Sequence, residues 1–234
     1  MTKNQEFSQQ TSFIEQKLGY TFTNKRLLLQ AFIHSSYLNE SQIPNLSSYE
    51  RLEFLGDAVL NLFISEFLFN YFPDENEGVL SKIKAYLICQ KTCSDLMDEL
   101  NLIDYLLVAR GQQELAGKSR ITLSSDLFES VLGAIFLDGG WTAAHTFLSD
   151  HFLDRYLAIA KSPPENPKAE LQEFVSKKGE EPPIYKLVET SGPPHKRTFT
   201  IAVYVNDLQL GQASGSSKRE AEQLAATLAL KKLR

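Results

Sequence analysis

Three carboxylates lie along one edge of a predicted helix in the segment YERLEFLGDAVL, which spans residues 49–60. At about 100° per residue, Glu50, Glu53 and Asp57 fall within an arc of about 60°. Apolar residues occupy the opposite side, which is typical of an amphipathic helix with one packed face. Like charges one turn apart destabilise an isolated helix, so a nearby cation would favour this arrangement. The predicted packed face holds Leu52, Leu55, Val59 and Leu62.

A second acidic pair, Asp126 and Glu129, lies in the segment SSDLFESVLGAIFLDGG. Residues three apart on a helix point the same way, so these two side chains share a face. If the two helices pack edge to edge, four carboxylates form an oxygen-ligand site of the kind that hard divalent cations prefer. The sequence holds no cluster of cysteines and histidines that would favour zinc instead.

Helix capping offers a second interpretation of the same acids. Glu50 stands three residues after Ser47, which is the spacing of a capping box, and in that role it would bind backbone. Asp126 would cap its own helix with Glu129 reaching back, unless one of the two preceding serines caps it. A solvated polar edge is a third interpretation, and spacing alone leaves all three open.

Phe54 raises a separate question, because it falls on the acidic side of the helix and away from the leucines. Single exposed aromatic residues are common on the surfaces of monomeric proteins. A large apolar side chain beside an acidic edge also fits a contact with a partner chain.

Apolar residues recur near a period of 3.6 through residues 1–160, which predicts an all-α domain. The predicted helices are Asn24–Ile33, Tyr49–Phe72, Gly78–Leu100, Ser124–Leu137 and Trp141–Ile159. The sequence contains no run of 18 apolar residues, so no membrane span is expected. The N-terminus is polar and lacks the apolar core of a signal peptide. We therefore expect a cytoplasmic protein, in which Cys89 and Cys93 are reduced thiols on one face of a helix.

The segment KSPPENP, residues 161–167, predicts a linker because it combines adjacent prolines with polar neighbours. Residues 168–234 then show a helix, three β-rich runs and a closing helix, which predicts a small α+β domain of order α-β-β-β-α. Residues 1–161 hold 13 Lys/Arg against 20 Asp/Glu, a net charge of −7, whereas residues 162–234 hold 11 against 9, a net charge of +2. An acidic body of this kind binds a polyanion only through basic patches or bound cations.

The segment ERLEFLGDAVL resembles the signature of the ribonuclease III family. AFIHSSY, DENEG and SSDLFESVLGAIFLDGG are similar to other landmarks of that family's nuclease domain, in the same order. The C-terminal segment ending in GSSKREAEQLAA resembles a double-stranded RNA-binding domain. Both modules together are similar to the bacterial type of ribonuclease III, and the resemblance covers almost the whole chain.

The resemblance implies a role for each acidic residue. Glu53, Asp57, Asp126 and Glu129 match the metal-binding and catalytic acids, and we expect Asp57 and Glu129 closest to the chemistry. Glu50 and Glu77 match auxiliary acids near the site, and Phe54 matches an aromatic residue that docks into a second subunit of a homodimer. The expected cofactor is Mg²⁺, with Mn²⁺ as a substitute.

Phosphodiester cleavage needs an activated water and relief of charge on the phosphate and leaving oxygen, which carboxylate-held divalent ions supply. The expected reaction is in-line attack of water on phosphorus in double-stranded RNA, leaving a 5′-phosphate and a 3′-hydroxyl. By resemblance, two sites in a homodimer cut both strands with short 3′ overhangs. Bacterial relatives process ribosomal RNA precursors and some mRNAs, so we expect the same substrates here.

Duplex RNA shows 2′-hydroxyls in a wide minor groove, so its binder needs minor-groove hydrogen-bonding groups and phosphate-binding cations. Gln172 and Glu173 fit the first need, and His195, in a loop between strands, fits a second minor groove. Lys218 and Arg219 at the start of the last helix fit phosphate, although each of these residues taken singly fits an ordinary surface position equally well. The basic pattern of this module often has a third lysine where this sequence has Glu222, which predicts modest, salt-dependent affinity.

Two other functions are compatible with parts of the sequence. A non-catalytic binder of duplex RNA would use the helical domain only to dimerise, and an activity assay with and without Mg²⁺ tests it. A helical metal-binding or interaction protein would have no RNA role, and binding assays with RNA and DNA duplexes test that. Both alternatives leave the ordered set of family landmarks unexplained.

Overall fold

The structure is a computed structural model that describes residues 3–41, 46–109, 118–162, 166–193 and 196–234. The described residues form two compact units, residues 1–163 and residues 164–234. The first is helical and the second combines three antiparallel strands with flanking helices, which confirms the predicted fold class. The sequence boundaries at 160 and 168 stay predictions, and they bracket the division between the two units.

Helices make up the described part of the first unit. They are α1 (Lys3–Leu18), α2 (Lys25–Ala31), α3 (Ser35–Ser41), α4 (Glu50–Tyr71), α5 (Glu77–Leu87), α6 (Gln90–Leu100), a 3₁₀ turn (Ile103–Tyr105) and α7 (Lys118–Lys161). Helix α1 was not predicted, because only its last turns carry apolar residues at helical spacing. Ile14 and Leu18 from those turns are fully buried in the core.

One of the predicted helices in this unit is wrong. The segment Gly78–Leu100 is two helices, because Ile88 ends α5 and Cys89 is extended, with φ −72° and ψ 152°. The cysteines therefore do not share a helical face, since Cys89 caps α6 and Cys93 lies inside it; both are free thiols. The two predicted helices Ser124–Leu137 and Trp141–Ile159 are confirmed as separate segments of α7, because the backbone at Gly140 is non-helical, with φ 72° and ψ −170°. The first of them begins earlier than predicted, at Lys118.

Helix α4 packs one side against the core and carries the acidic edge on another side. Its buried side chains are Leu52, Val59, Leu60, Phe63, Ile64, Phe67 and Leu68. Leu62 was predicted on this packed face and is instead 56% exposed. The predicted face was therefore slightly misplaced, because the neighbours that cover α4 lie along the side that carries Leu60 and Phe63.

The second unit is built on a sheet of strand order β1-β2-β3. Its elements are α8 (Pro167–Lys177), β1 (Ile184–Ser191), β2 (Thr198–Val205), β3 (Leu208–Gly215) and α9 (Lys218–Leu233). Both strand pairs are antiparallel, and opposite residues such as Tyr185 and Val203 share the face that packs on the helices. Leu171 of α8 and Ala225 of α9 are fully buried in this small core.

No helix in the described part of the chain is both long and apolar enough to cross a membrane.

Candidate active site

Helices α4 and α7 cross at two glycines, and this crossing brings the acidic residues together. A Cβ atom on Gly56 would lie 1.7 Å from the carbonyl oxygen of Glu129, and one on Gly133 would lie 2.2 Å from that of Leu52. Only glycine at both positions allows the backbones to approach so closely. Because Gly56 lies between Glu53 and Asp57, the crossing carries both carboxylates to the side of α7 that bears Glu129.

The helix termini exclude the capping roles considered for these acids. The N-cap of α4 is Tyr49 and makes no side-chain capping hydrogen bond, so the box with Ser47 does not form. Glu50 instead accepts a hydrogen bond of 3.1 Å from the Ser48 hydroxyl. Helix α7 begins at Lys118, so Asp126 and Glu129 lie well inside it and cannot cap its N-terminus.

Glu129 carries the clearest electrostatic signature of the cluster. Burial raises its pKa to about 8, and the negative charges of Asp57, Glu53 and Asp126 add to the effect. Each of those three carboxylates is therefore close enough to repel a charge on Glu129. Carboxylates that lie close together with little neighbouring positive charge are frequent in functional sites.

Tyr49 and His34 lie near Asp126 and influence its pKa. The buried Tyr49 hydroxyl donates a 3.2 Å hydrogen bond to Oδ2 of Asp126, and the ring of His34 packs 5.7 Å from that of Tyr49. Burial raises the pKa of Asp126, whereas the Tyr49 hydrogen bond and His34 act against that rise. Burial, Asp126 and Glu50 likewise raise the pKa of Glu53.

The donor set fits a hard divalent cation by its chemistry, because it consists of carboxylate oxygens. Asp57 is exposed, and its Oδ1 accepts a 2.9 Å hydrogen bond from the side chain of Asn61 one turn later. Across the residues that the structure describes, no three acidic, histidine or cysteine side chains converge tightly enough to hold a metal ion as they stand. A cation at this site therefore requires rotation of the carboxylates toward a common point.

Glu77 and Phe54 lie apart from the four carboxylates. Glu77 begins α5, beyond the far end of α4, and about 20 Å of helix separates that end from Asp57. Phe54 is 81% exposed and lies beside a groove of about 560 Å³. The groove is also lined by Gln30, Glu50, Arg51, Leu52, Leu55 and Leu137.

Sequence reasoning missed the two crossing glycines and the Tyr49–Asp126 hydrogen bond. A glycine inside an apolar helical pattern, as in FLGDAV and VLGAIF, is a recognised signal of close backbone approach. No sequence signal identifies Tyr49 as the partner of Asp126, because the two residues are 77 positions apart.

The predicted RNA-binding residues lie on the two helices of the second unit. Gln172 is exposed on α8, and Glu173 forms a 3.0 Å ion pair with Lys177. Lys218 and Arg219 are exposed in the first turn of α9. The prediction for His195 falls outside the described residues.

A helical unit with an acidic helix crossing, followed by an α-β-β-β-α unit, defines a class of two-domain proteins that act on RNA. Residues 24–156 match the family model described as ribonuclease-III-like, and residues 167–233 match that of the double-stranded RNA binding motif. Ribonuclease 3 of Protochlamydia amoebophila is 41% identical over 224 residues, 96% of this chain and 92% of that protein. Ribonuclease 3 of Bacillus cytotoxicus is 40% identical over 94% of this chain and 90% of its own.

Solved structures of the nuclease domain of ribonuclease III from Campylobacter jejuni are also similar. One is 37% identical with a TM-score of 0.53, covers 60% of this chain and 96% of that domain, and concerns flexibility in the region of that protein's dimer formation. Another is 36% identical with a TM-score of 0.52 and covers 65% of this chain and 95% of that domain. The chain belongs to the ribonuclease III family, and it is an endoribonuclease with a double-stranded RNA-binding domain.

Proposed function

We propose that the chain hydrolyses double-stranded RNA at the α4–α7 crossing with the help of Mg²⁺, for which Mn²⁺ can substitute. The observation that carries this proposal is the cluster of mutually repelling carboxylates around Glu129, whose pKa rises to about 8. A divalent cation relieves that repulsion and is bound by the oxygen ligands that it prefers.

Glu53, Asp57, Asp126 and Glu129 hold the cation in this proposal, with Asp57 and Glu129 closest to the scissile phosphate. When bound, the cation activates water, shields the phosphate charge and stabilises the leaving oxygen. Tyr49 keeps Asp126 oriented and favours its ionised form through the 3.2 Å hydrogen bond. Asn61 orients Asp57 in the same way.

The products that follow from water attack at phosphorus are a 5′-phosphate and a 3′-hydroxyl. We further propose that paired cuts leave short 3′ overhangs and that the natural substrates are ribosomal RNA precursors and some mRNAs. The resemblance to bacterial ribonuclease III supports these points. A cytoplasmic location belongs to the same proposal, and the free thiols of Cys89 and Cys93 support it.

Replacing Glu129 by glutamine tests the site. The variant keeps side-chain volume and removes one anionic ligand, so we expect cleavage of a defined RNA hairpin to fall at least about a thousand-fold. Binding of the same hairpin without divalent cations should stay within about two-fold, because the RNA-binding unit is unchanged. Mapping both ends of each product strand tests the end chemistry and the overhang.

Asp154→Asn is the matched control, since Asp154 is an exposed acid on the same helix, α7. Its cleavage rate should equal that of the unmodified protein. Undiminished cleavage by the Glu129 variant would overturn the proposed site, and cleavage that does not depend on Mg²⁺ or Mn²⁺ would overturn the role of the cation.

RNA binding by the second turn of α8 and the first turn of α9 is the second part of the proposal. Gln172 and Glu173 would contact 2′-hydroxyls, Lys218 and Arg219 phosphates, and His195 a second minor groove. The exposure of the two cations at a helix N-terminus supports this, because backbone N–H groups there also favour an anion. Replacing both cations by alanine should weaken duplex binding about ten-fold and reduce the salt slope by about 2. An unchanged slope would place the phosphate contacts elsewhere.

A homodimer completes the proposal, and an apolar stripe on α4 supports it. Phe54, Leu62 and Phe69 are 81%, 56% and 74% exposed, and with exposed Ala58 they follow one side of the helix. Monomeric proteins rarely expose such a continuous apolar surface. A two-fold axis at the centre of the stripe, near Leu62, pairs α4 with its copy in antiparallel fashion.

Antiparallel pairing also accounts for Glu77. It brings the C-terminal end of the partner's α4 toward the N-terminal end of α4, where Glu50 lies. The partner's Glu77 would then approach the carboxylates that its own subunit's Glu77 does not reach. Glu50 and Glu77 are thus auxiliary acids of one site, contributed by different subunits.

Replacing Phe54 by alanine tests the dimer. Loss of a large apolar side chain from the interface should raise the dimer dissociation constant at least about thirty-fold. Sedimentation velocity measures this constant. Leu208→Ala is the control, because Leu208 is 61% exposed but lies in the second unit. A monomeric unmodified protein, or an unchanged dimer in the Phe54 variant, would contradict this interface.

A further inference from the structure

Glu222 lies on α9 at the position where the basic pattern of this module often has a third lysine. Its carboxylate does not point at open solvent, since the side chain is only 25% exposed. Oε2 of Glu222 accepts a 2.6 Å hydrogen bond from Nζ of Lys168, in the first turn of α8. The same ammonium lies 4.6 Å from the ring centre of Tyr185 on strand β1. One ion pair therefore connects two helices and the sheet edge.

Gln223, the next residue, makes two more contacts with the start of α8. Its Oε1 accepts a 3.1 Å hydrogen bond from the backbone N–H of Lys168, and its Nε2 donates a 3.0 Å bond to Oδ1 of Asn166. Asn166 is the N-cap of α8 and accepts from the N–H of Ala169. Two consecutive α9 side chains thus bind the start of α8: Gln223 binds a backbone N–H that has no partner within the helix, and Glu222 binds the Lys168 side chain.

On each helix, these contacts lie one turn away from the residues that we assign to RNA. Lys218 precedes Glu222 by four residues on α9, and Gln172 follows Lys168 by four residues on α8, so each pair shares a helical face. The Lys168–Glu222 ion pair therefore joins the faces that carry the cations and the minor-groove groups. A change in the ion pair moves these faces relative to each other, although neither residue need touch RNA.

We propose that Glu222 is a positioning residue for RNA binding: with Gln223, it fixes the first turn of α8 against α9 and so sets the spacing of the two RNA-contacting turns. This inference rests on the proposed RNA-binding face. In this proposal the absence of a lysine at position 222 is not the loss of a phosphate contact, because the Glu222 carboxylate makes a contact within the domain. The two interpretations predict opposite effects when lysine is restored.

Glu222→Lys separates them. A lysine here faces Lys168 and breaks the interhelix contact, so we expect duplex RNA binding to weaken at least about five-fold with an unchanged salt slope. A new phosphate contact would instead tighten binding and steepen the slope by about 1. Binding is measured on the full chain by fluorescence anisotropy of a perfect RNA duplex, at several KCl concentrations and without divalent cations.

The charge-swapped double variant, Lys168→Glu with Glu222→Lys, tests whether a reversed ion pair restores RNA binding. It keeps the net charge of the unmodified protein and re-forms the ion pair in reverse, so affinity should return to within about two-fold. Glu189→Lys is the charge-matched control, because Glu189 is exposed on β1 opposite Thr200, outside the α8–α9 contact. It should bind as tightly as the unmodified protein, or slightly more tightly.

Thermal unfolding of each variant keeps the test decisive if Glu222→Lys alone unfolds the domain. A swapped variant that melts like the unmodified protein and binds like it supports the positioning role. A swapped variant that melts normally but stays at least five-fold weaker overturns it, as does tighter binding by Glu222→Lys. Lys218→Ala with Arg219→Ala, measured beside them, reports separately on the RNA-binding face, so failure of that proposal is recognised independently.

Discussion

Acidic side chains of the α4–α7 crossing and of the RNA-binding unit meet different neighbours. Around Glu129 the nearest charges are other carboxylates, and together with burial they raise its pKa to about 8. In the second unit, Glu222 pairs with Lys168, Glu173 with Lys177, and Glu170 with Arg234. The first region concentrates negative charge that a divalent cation would relieve. In the second unit these three acids have cationic partners, and Lys218 and Arg219 stay exposed.

By this contrast, an acidic residue in an RNA-binding protein can serve two opposite purposes. Concentrated carboxylates would bind the cation that we propose for the anionic substrate, while paired carboxylates would fix the distance between binding elements. Backbone geometry decides which purpose applies, through the glycine crossing in one unit and through the α8–α9 side-chain contacts in the other. Each of the following changes alters one side of this comparison.

The largest effect should follow from closing the glycine crossing. Gly56→Ala places a Cβ 1.7 Å from the Glu129 carbonyl oxygen, so α4 and α7 must move apart. We expect the free energy of unfolding of the helical unit to fall by about 3 kcal/mol, and cleavage to be lost with it. Gly78→Ala is the control, because its Cβ would meet only the Asn76 side chain at 3.3 Å. Chemical denaturation measures both, and equal stabilities would refute the role of the crossing.

The next effect concerns pH. The pKa of Glu129 is about 8 in the folded protein against an ordinary value of 4.5, so its contribution to stability is full below pH 4.5 and disappears as pH rises through 8. Without divalent cations, stability should therefore fall by on the order of 1–2 kcal/mol between pH 5 and pH 8.5, after allowance for partial exposure. Glu129→Gln should remove this dependence. A pH-independent stability in the unmodified protein would contradict the crowding of charge.

A smaller effect is expected at Tyr49. Tyr49→Phe removes the hydroxyl that donates to Asp126 and leaves the buried ring in place. Asp126 then loses a hydrogen bond to its ionised form, so the Mg²⁺ concentration for half-maximal cleavage should rise about three-fold. A parallel rise in the Ca²⁺ concentration that shifts the melting temperature separates weaker cation binding from a slower reaction. Tyr71→Phe is the matched control, because Tyr71 is half-exposed at the far end of α4.

The smallest effect is the response to salt, and it should differ in sign between the two regions. Raising NaCl from 50 to 500 mM screens the repulsion at the α4–α7 crossing and also screens the exposed ion pairs of the second unit. Amide hydrogen exchange should therefore slow in α7 near Glu129 and quicken in α8 near Glu173, each by a few tenths of a kcal/mol. A change of the same sign in both helices would contradict the proposed difference in charge environment between the two regions.

Much of the fold was predictable from the sequence, because helical and strand periods are local properties. The order of the second unit, a helix, three β-strands and a closing helix, was predicted from residues 168–234 and is observed. The helical unit was predicted less well where boundaries depend on neighbours. The break at Cys89 has no strong local signal, and α1 is held by the core rather than by its own pattern. The break at Gly140 was predicted, because glycines at residues 139 and 140 interrupt the helical pattern.

That Glu50, Glu53 and Asp57 share one edge could be derived from the amino-acid sequence alone, because it depends only on the helical repeat. Family landmarks in the sequence then indicated which acids belong to one site. Three facts required the folded structure: Gly56 and Gly133 let that edge meet Glu129, neither Glu50 nor Asp126 caps a helix, and Glu222 is paired with Lys168. These facts depend on contacts between distant segments, which packing sets and no local pattern encodes.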